Sequence, residues 1–267
     1  MSHANPDPVC GRPPLNPTSP PTSHLPARKR VVVIPTYNEA DSLPVIVEQV
    51  LRALPIDILI MDDASPDGTG DIADALAAAE PRISVIHRPG KAGLGPAYVQ
   101  GFQIALDRGY EQIFQMDADG SHAPGALAVL AAALEYADLV IGSRYVPGGA
   151  VANWSPIRQA VSRGGSIYSR LMLGLPVADT TSGFKGWRAE VLRGALHGAV
   201  PANGYVFQIE MTYRATRLGA TVREVPILFA DRELGQSKFS TRIIAEASLR
   251  VAGLGLRRML GRGETGA

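Results

Sequence analysis

Gln112-Ile113-Phe114-Gln115-Met116-Asp117-Ala118-Asp119-Gly120-Ser121-His122 is the stretch that organises this chain. Ile113, Phe114 and Met116 predict a short buried strand. The run ends in two aspartates separated by one alanine. In extended backbone, residues i and i+2 point to the same side. Asp117 and Asp119 are therefore expected to aim both carboxylates at one point. Gly120 then lets the chain turn away. Two close carboxylates repel each other, and a hard divalent cation relieves that repulsion. Mg²⁺ usually takes one or two carboxylates and completes its shell with substrate phosphate oxygens. The stretch reads either as a clamp for a metal and a diphosphate at a strand's carboxyl end, or as a solvated acidic turn.

Working outward from it, strands and helices alternate. Val31-Val32-Val33-Ile34 is a β-branched run suited to a strand buried on both faces. Pro35-Thr36-Tyr37-Asn38-Glu39 ends it, and Ser42 is placed to cap a helix through about residue 54. A second strand is expected over 56–61, closed by Asp62-Asp63, with a helix to about 79. A third strand follows over 83–86, and Gly93 and Gly95 open a helix to about 108. After the Asp117 strand, Pro124 starts another helix, and 139–142 gives a fifth strand ending at Ser143-Arg144. Such alternation implies right-handed crossovers and an α/β fold with a mostly parallel sheet flanked by helices. The polar motifs then collect beyond the carboxyl ends of the strands, where open α/β sheets bind ligands. No Gly-x-Gly-x-x-Gly follows the first strand and no P-loop is present, which weighs against a dinucleotide fold.

The flanks and the second half read differently. Residues 1–28 are rich in proline, serine and threonine, with too little apolar surface to offset ordering, and are expected to be a disordered tail. Ala27-Arg28-Lys29-Arg30 reads as a solvated lead-in to the first strand. The main domain is expected over 29–240. Within it 157–173 predicts one helix, 179–186 a polar glycine-containing loop, 207–218 a helix, and 221–227 a strand that Pro226 places at an edge. Residues 231–240 read as a mobile loop, and 241–260 as a closing helix. Its Ile243, Ile244, Ala247, Val251 and Leu254 form an apolar stripe, with Arg250, Arg257 and Arg258 beside it. The stripe suits either an ordinary core contact or a membrane interface.

Composition narrows the classes. The chain has 267 residues, 46% hydrophobic and 19% charged, with net charge +1. It has no basic stripe interleaved with aromatics, so no nucleic-acid partner is expected. Its one cysteine, Cys10, excludes an intrachain disulfide. No apolar stretch approaches the roughly 20 residues of a spanning helix, and no signal pattern opens the chain. A soluble or peripheral intracellular protein is the expectation.

Taken together, the motifs resemble a family. Val32-Val33-Ile34-Pro35-Thr36-Tyr37-Asn38-Glu39, Asp62-Asp63-Ala64-Ser65-Pro66-Asp67-Gly68-Thr69 and Asp117-Ala118-Asp119-Gly120-Ser121-His122 are similar to those of the inverting, GT-A-type family 2 glycosyltransferases. Gly142-Ser143-Arg144-Tyr145, Thr181-Ser182-Gly183-Phe184-Lys185 and Arg232-x5-Lys238-Phe239-Ser240 narrow the resemblance to polyprenol monophosphomannose synthases, also called dolichol-phosphate mannosyltransferases. The resemblance implies a GT-A fold and mannose transfer from GDP-mannose to a polyprenyl phosphate. Pro35, Tyr37 and Glu39 would line the nucleotide pocket, with Ile60, Asp62 and Asp63 holding base and ribose. Asp117, Ala118 and Asp119 would meet the diphosphate and an Mg²⁺ or Mn²⁺ ion, with Ser121 where some relatives place a glutamine near the metal. Arg144, Arg232 and Lys238 would face donor or acceptor phosphates and, with Asp119, carry catalysis. The family also implies a peripheral position at the cytoplasmic face of the membrane, through this chain or a separate membrane protein.

Alternatives remain at this level. The same fold could use UDP-glucose or a UDP-aminosugar, act as a non-catalytic nucleotide-sugar-binding subunit, or be a nucleotidyltransferase. The basic residues alone would also suit surface salt bridges.

Overall fold

The computed structural model describes residues 27–200, 204–230 and 241–259. The expected mobile loop 231–240, with Arg232 and Lys238, lies outside the described residues, as do 1–26 of the expected tail. At the centre is β1 (Arg30–Thr36), whose Val31 to Ile34 are almost wholly buried. Successive residues serve opposite faces. Val31 and Val33 join a core with Phe102, Trp187 and Phe207, whereas Val32 and Ile34 join one with Leu43, Val47 and Leu127. A β-branched run with no polar alternation is suited to this two-sided burial.

The chain continues through α1 (Leu43–Ala53), β2 (Asp57–Asp62), α2 (Thr69–Ala79), β3 (Ile83–His87), α3 (Leu94–Asp107), β4 (Gln112–Gln115), α4 (Ala126–Ala133) and β5 (Leu139–Ser143). Then come β6 (Ala150–Ala152), α5 (Pro156–Leu173), β7 (Lys185–Arg188), α6 (Ala189–Ala195), α7 (Gly204–Arg217), β8 (Val222–Pro226), β9 (Leu228–Ala230) and α8 (Thr241–Met259). The main sheet has seven strands in the order β3-β2-β1-β4-β7-β5-β8. All its pairings are parallel except those of β7, which runs antiparallel to β4 and to β5. β6 and β9 make a separate two-stranded sheet. The expected mostly parallel α/β sheet is present, and Pro226 does sit on an edge strand.

Four local expectations need correction. The loop expected over 179–186 feeds β7, a central strand. Lys-Gly-Trp-Arg has neither alternation nor a β-branched run, so only pairing with two neighbours makes it a strand. Gly186 is required there, because a Cβ would lie 2.8 Å from the Phe114 ring and 2.9 Å from Leu134. Ser42 occupies the N-cap of α1 but makes no capping bond; its hydroxyl donates to the Glu39 carboxylate instead, at 2.8 Å. Arg30 is not solvated: it is buried, and its Nε donates to Gln112 Oε1 at 2.8 Å. Arg28, placed by sequence in the tail, bridges Glu111 and Glu135.

Of the apolar stripe expected on the last helix, the side chains of Ile243 and Ile244 lie outside the described residues, and the other three find their partner in the core. Val251 is buried, and Ala247 and Leu254 pack against the core. Helices α5 and α8 lie side by side: the Tyr168 hydroxyl donates to Ser248 O at 3.0 Å, and Gly255 abuts Met172.

Candidate active site

The order β2-β1-β4 reverses direction between β1 and β4, and in open α/β sheets ligands bind beyond the strand ends at such a switch point. Register aligns the motifs there: Thr36 lies opposite Asp62, and Val33 opposite Gln115. Two polar loops line one side and hold each other. Asn38 N–H donates to Ser65 Oγ at 3.2 Å, Glu39 N–H to Thr69 Oγ1 at 2.9 Å, and Ala40 N–H to Asp67 Oδ2 at 3.2 Å. Asn38 and Ala64 adopt positive φ, 60° and 54°, at the tightest points of the two loops. Pro35, Tyr37 and Glu39 are thus held at the end of β1, with Lys91 Nζ 3.6 Å from the Tyr37 ring centre.

Asp62 and Asp63 stand at the end of β2, following the fully buried Ile60. Their carboxylates already serve the protein. Asp62 Oδ1 accepts from Ser65 Oγ at 2.6 Å and Thr36 Oγ1 at 3.2 Å. Asp63 forms a buried ion pair with Arg88, whose Nε donates to Gln100. Both carboxylates are buried and committed to bonds that brace the end of β2.

The central stretch departs from the extended geometry expected of it. β4 ends at Gln115, and 118–120 form a bend, with Gly120 at φ 76°. The strand's two-residue period therefore does not set the two aspartates. Separate contacts do: Asp117 Oδ1 accepts from the Tyr98 hydroxyl at 3.0 Å, and Asp119 Oδ1 accepts from Ser121 N–H at 2.9 Å. Ala118 and Ser121 are buried, and the two aspartates are half-buried. Behind them His122 accepts the Asp117 N–H on Nδ1 at 3.2 Å and stacks on Phe184. Burial pushes the His122 imidazolium down to about 4, so the ring is neutral and its proton sits on Nε2.

The donor set suits a hard divalent ion. Asp117 and Asp119 offer carboxylate oxygens, and among the described residues no cluster of three His, Cys, Asp or Glu side chains forms. Two carboxylates without a closed cage match Mg²⁺ or Mn²⁺ completed by ligand phosphates, and do not match structural zinc.

Arg144 follows β5 and is buried. Its Nε donates to Asp179 Oδ2 and its Nη2 to Asp179 Oδ1, both at 2.7 Å, and Nη2 also reaches Thr181 Oγ1 at 2.8 Å. Desolvation works against the guanidinium charge, but the Asp179 bonds outweigh it and leave its pKa raised. Trp154, Phe229 and Tyr145 surround it with ring centres 5.1–5.5 Å away. Two of its nitrogens are thus committed to Asp179 and Thr181.

Sequence reasoning missed Tyr98, Asp179, Lys185 and Gln208 as parts of this region. Tyr98 reads as one apolar face residue of α3, and Asp179 as one polar residue in a loop. Gln208 lies on a helix whose period gave no reason to single it out. Lys185 was visible in a motif but carried no role.

Residues 31–195 match the family described as Glycosyl transferase family 2. The chain is 50% identical over 227 residues to an undecaprenyl-phosphate mannosyltransferase of Micrococcus luteus, covering 85% of this chain and 93% of that protein. It is also 50% identical over 245 residues to polyprenol monophosphomannose synthase of Mycolicibacterium smegmatis, covering 91% and 92%. Among solved structures, glucosyl-3-phosphoglycerate synthase of Mycobacterium tuberculosis, crystallised with Mn²⁺ and UDP-glucose, superposes with TM-score 0.61 at 19% identity, covering 86% of this chain and 79% of that one. That likeness gives the fold, a GT-A arrangement of a mostly parallel sheet between helices. With the matched span and the half-identical relatives in agreement, the chain belongs to glycosyltransferase family 2.

Proposed function

We propose that this enzyme transfers mannose from GDP-mannose to a polyprenyl phosphate by a single inverting displacement, giving a β-linked mannosyl phosphate and GDP. The observation that carries the reading is half identity, across nearly all of both chains, to two enzymes whose names specify mannose transfer to, or a mannose phosphate of, a polyprenol. The chemistry asks little of a base. A phosphate monoester has a second pKa of about 6, so the acceptor is mostly dianionic at neutral pH and already nucleophilic. The harder task is seating a dianion against a sugar diphosphate, and positioning with charge stabilisation carries such a reaction.

In this reading Pro35, Tyr37, Glu39 and the end of β2 hold the nucleoside. Asp117 and Asp119 hold the Mg²⁺ or Mn²⁺ ion, which when bound stabilises the charge of the departing diphosphate. Ser121 closes the turn beneath them. Arg144, oriented by Asp179, faces phosphate, and Arg232 and Lys238 join it by the resemblance of their motif. The test is radiolabel transfer from GDP-mannose, UDP-glucose and UDP-GlcNAc to a polyprenyl phosphate, with the anomer assigned by NMR. Turnover with GDP-mannose to the β product supports the reading; an α product, or turnover only with UDP-sugars, rejects it.

A lipid acceptor requires access to a bilayer, and no described helix is long and apolar enough to cross one. The α5–α8 pair supplies a peripheral face. Ile157, Ile167 and Leu171 are 51–77% exposed on one side of α5, and Leu249 and Leu256 are 75% and 54% exposed on α8. The contacts Tyr168–Ser248 and Met172–Gly255 advance together, so the helices run parallel and their apolar stripes flank one seam. Exposed Arg163, Arg170, Arg257 and Arg258 add positive charge, and α5 has no acidic residue. Apolar side chains among arginines fit an anionic membrane surface.

A further inference from the structure

The main sheet buries a lysine. Lys185 is fully buried, and Nζ donates to Gln208 O at 2.8 Å, Gln208 Oε1 at 3.2 Å and Thr212 Oγ1 at 3.0 Å. Among the described residues no carboxylate accepts from it. What the lysine and its neighbours accomplish is an orientation. Trp187 Nε1 can only donate, and it donates to Gln115 Oε1 at 3.0 Å. That fixes the Gln115 amide, whose Nε2 must then donate to Gly183 O at 3.0 Å and to Gln208 Oε1 at 2.7 Å. With Gln115 and Lys185 both donating to Oε1, the Gln208 amide cannot flip. Its Nε2 therefore faces the other way.

That nitrogen is buried and has no hydrogen-bond partner in the structure. An unsatisfied buried donor is costly, and the surrounding network holds it there. Its position is defined by Gly183. A Cβ on that residue would lie 3.6 Å from Gln208 Nε2, 3.4 Å from Asp117 Oδ2 and 3.6 Å from His122 Cε1. The orphaned amide and the second oxygen of Asp117 thus border one notch. The first oxygen already accepts from Tyr98, itself fully buried and stacked on Phe102 and Phe207.

We propose that Tyr98 and Gln208 are positioning residues for Asp117: two neutral donors, from α3 and α7, that fix its two oxygens for the metal–diphosphate group. This rests on the reading of Asp117 given above. Neutral donors suit the task, because they fix a carboxylate's orientation without cancelling the charge that attracts the cation. The unpartnered amide is then a reserve donor, satisfied as Oδ2 turns within the notch. Lys185 has its own part in holding that donor in place.

The test is calorimetry of GDP binding to the full chain, with Mn²⁺ and with EDTA, alongside thermal unfolding. Tyr98→Phe keeps the ring and removes the hydroxyl. Gln208→Met alone takes one of three acceptors from the buried Lys185, so it is paired with Lys185→Met, which leaves an apolar interior. Partners that orient metal ligands typically contribute about 10–100-fold in metal affinity. Tyr98→Phe and the double variant are therefore expected to bind GDP at least about tenfold more weakly with Mn²⁺. Binding in EDTA should be unchanged and unfolding close to wild type. A merely structural role would lower both affinities or neither. Asp117→Asn separates the two levels of inference. If it loses Mn²⁺-dependent binding while Tyr98→Phe and the double variant bind like wild type, the positioning proposal is overturned and the parent reading stands. If Asp117→Asn also binds like wild type, both fall. If the double variant does not fold, Tyr98→Phe decides by the same criterion.

Discussion

At the residue scale, the site depends on charges whose partners come from distant segments. Arg144 and Asp179 form a bidentate pair with side-chain exposures of 4% and 0%. Glu224 in turn holds Asp179, accepting from the N–H groups of Ala178 and Asp179 at 2.7 and 2.9 Å. Removing one member of a buried pair leaves an uncompensated charge and costs about 3–5 kcal/mol. Asp179→Ala should therefore destabilise the protein by about that amount, whereas Asp179→Asn, which still accepts one bond, should lose less. Urea midpoints at constant m-value measure both, and equal small losses would show that the pair is not structural. Lys185 makes a prediction about pH. Burial pushes its ammonium from 10.5 down to about 7. Between those values the unfolded chain binds the proton that the folded chain has released, so this residue makes stability rise with pH across the window. Below about pH 7 its contribution is flat. Lys185→Met leaves Gln208 Oε1 with its Gln115 donor, so the fold persists. The variant should flatten the rise in urea midpoint between pH 7.5 and 9.5; an unchanged slope would place the titration elsewhere.

At the element scale, glycines distinguish close packing from chain punctuation. Gly101 lies in the middle of α3, where a Cβ would sit 2.5 Å from Val33 Cγ1 and 3.2 Å from Met61 Cγ. The helix can approach β1 only because that atom is missing. Gly101→Ala should destabilise by roughly 1–3 kcal/mol through overpacking. Gly164 in α5 is the contrasting case, with nothing within 4 Å of its Cβ position. There alanine should stabilise by roughly 0.5–1 kcal/mol, since only backbone entropy changes. Thermal unfolding of the two variants should move in opposite directions, and a shared sign would contradict the packing account. β7 shows the limit of local pattern at this scale. Its four residues earn their place from hydrogen bonds to β4 and β5 and from the space that Gly186 leaves for Phe114.

At the scale of the whole molecule, two sequence-distant helices make one surface. Ala247, Val251 and Leu254 of the last helix turn into the core, and Leu249 and Leu256 on its opposite side remain exposed, as do Leu171 and Ile167 of α5. Replacing Leu171 and Leu256 by glutamate should abolish co-sedimentation with phosphatidylglycerol vesicles. It should also slow transfer to a long-chain polyprenyl phosphate while sparing a short, water-soluble analogue. Binding by the wild type should weaken with salt, because surface attraction is screened over about 8–10 Å. If the wild type ignores vesicles, this face is not its membrane contact, and a membrane protein is the remaining route to the acceptor.

The sequence by itself determined the alternation of β1 to β5 with their helices, because hydrophobic runs and turn residues are local signals. It also placed the polar motifs at the ends of those strands, for β1, β2, β4 and β5 each carry their motif immediately after the apolar run. The edge position of Pro226 was readable too, since proline has no N–H to donate to a neighbouring strand. Tertiary structure decided what those motifs touch. The strand period could not hold Asp117 and Asp119 together once β4 stopped at Gln115, and their orientation passed to Tyr98 and Ser121. Arg144 could be expected at a strand end, yet its buried partner Asp179 lies 35 residues away. Lys185 reads as a loop cation until the antiparallel pairing of β7 carries it into the sheet. The physical reason is the same in each case. Periodicity reports which side of an element is buried, whereas the partner of a buried polar group is set by where another element packs, and no local signal records that.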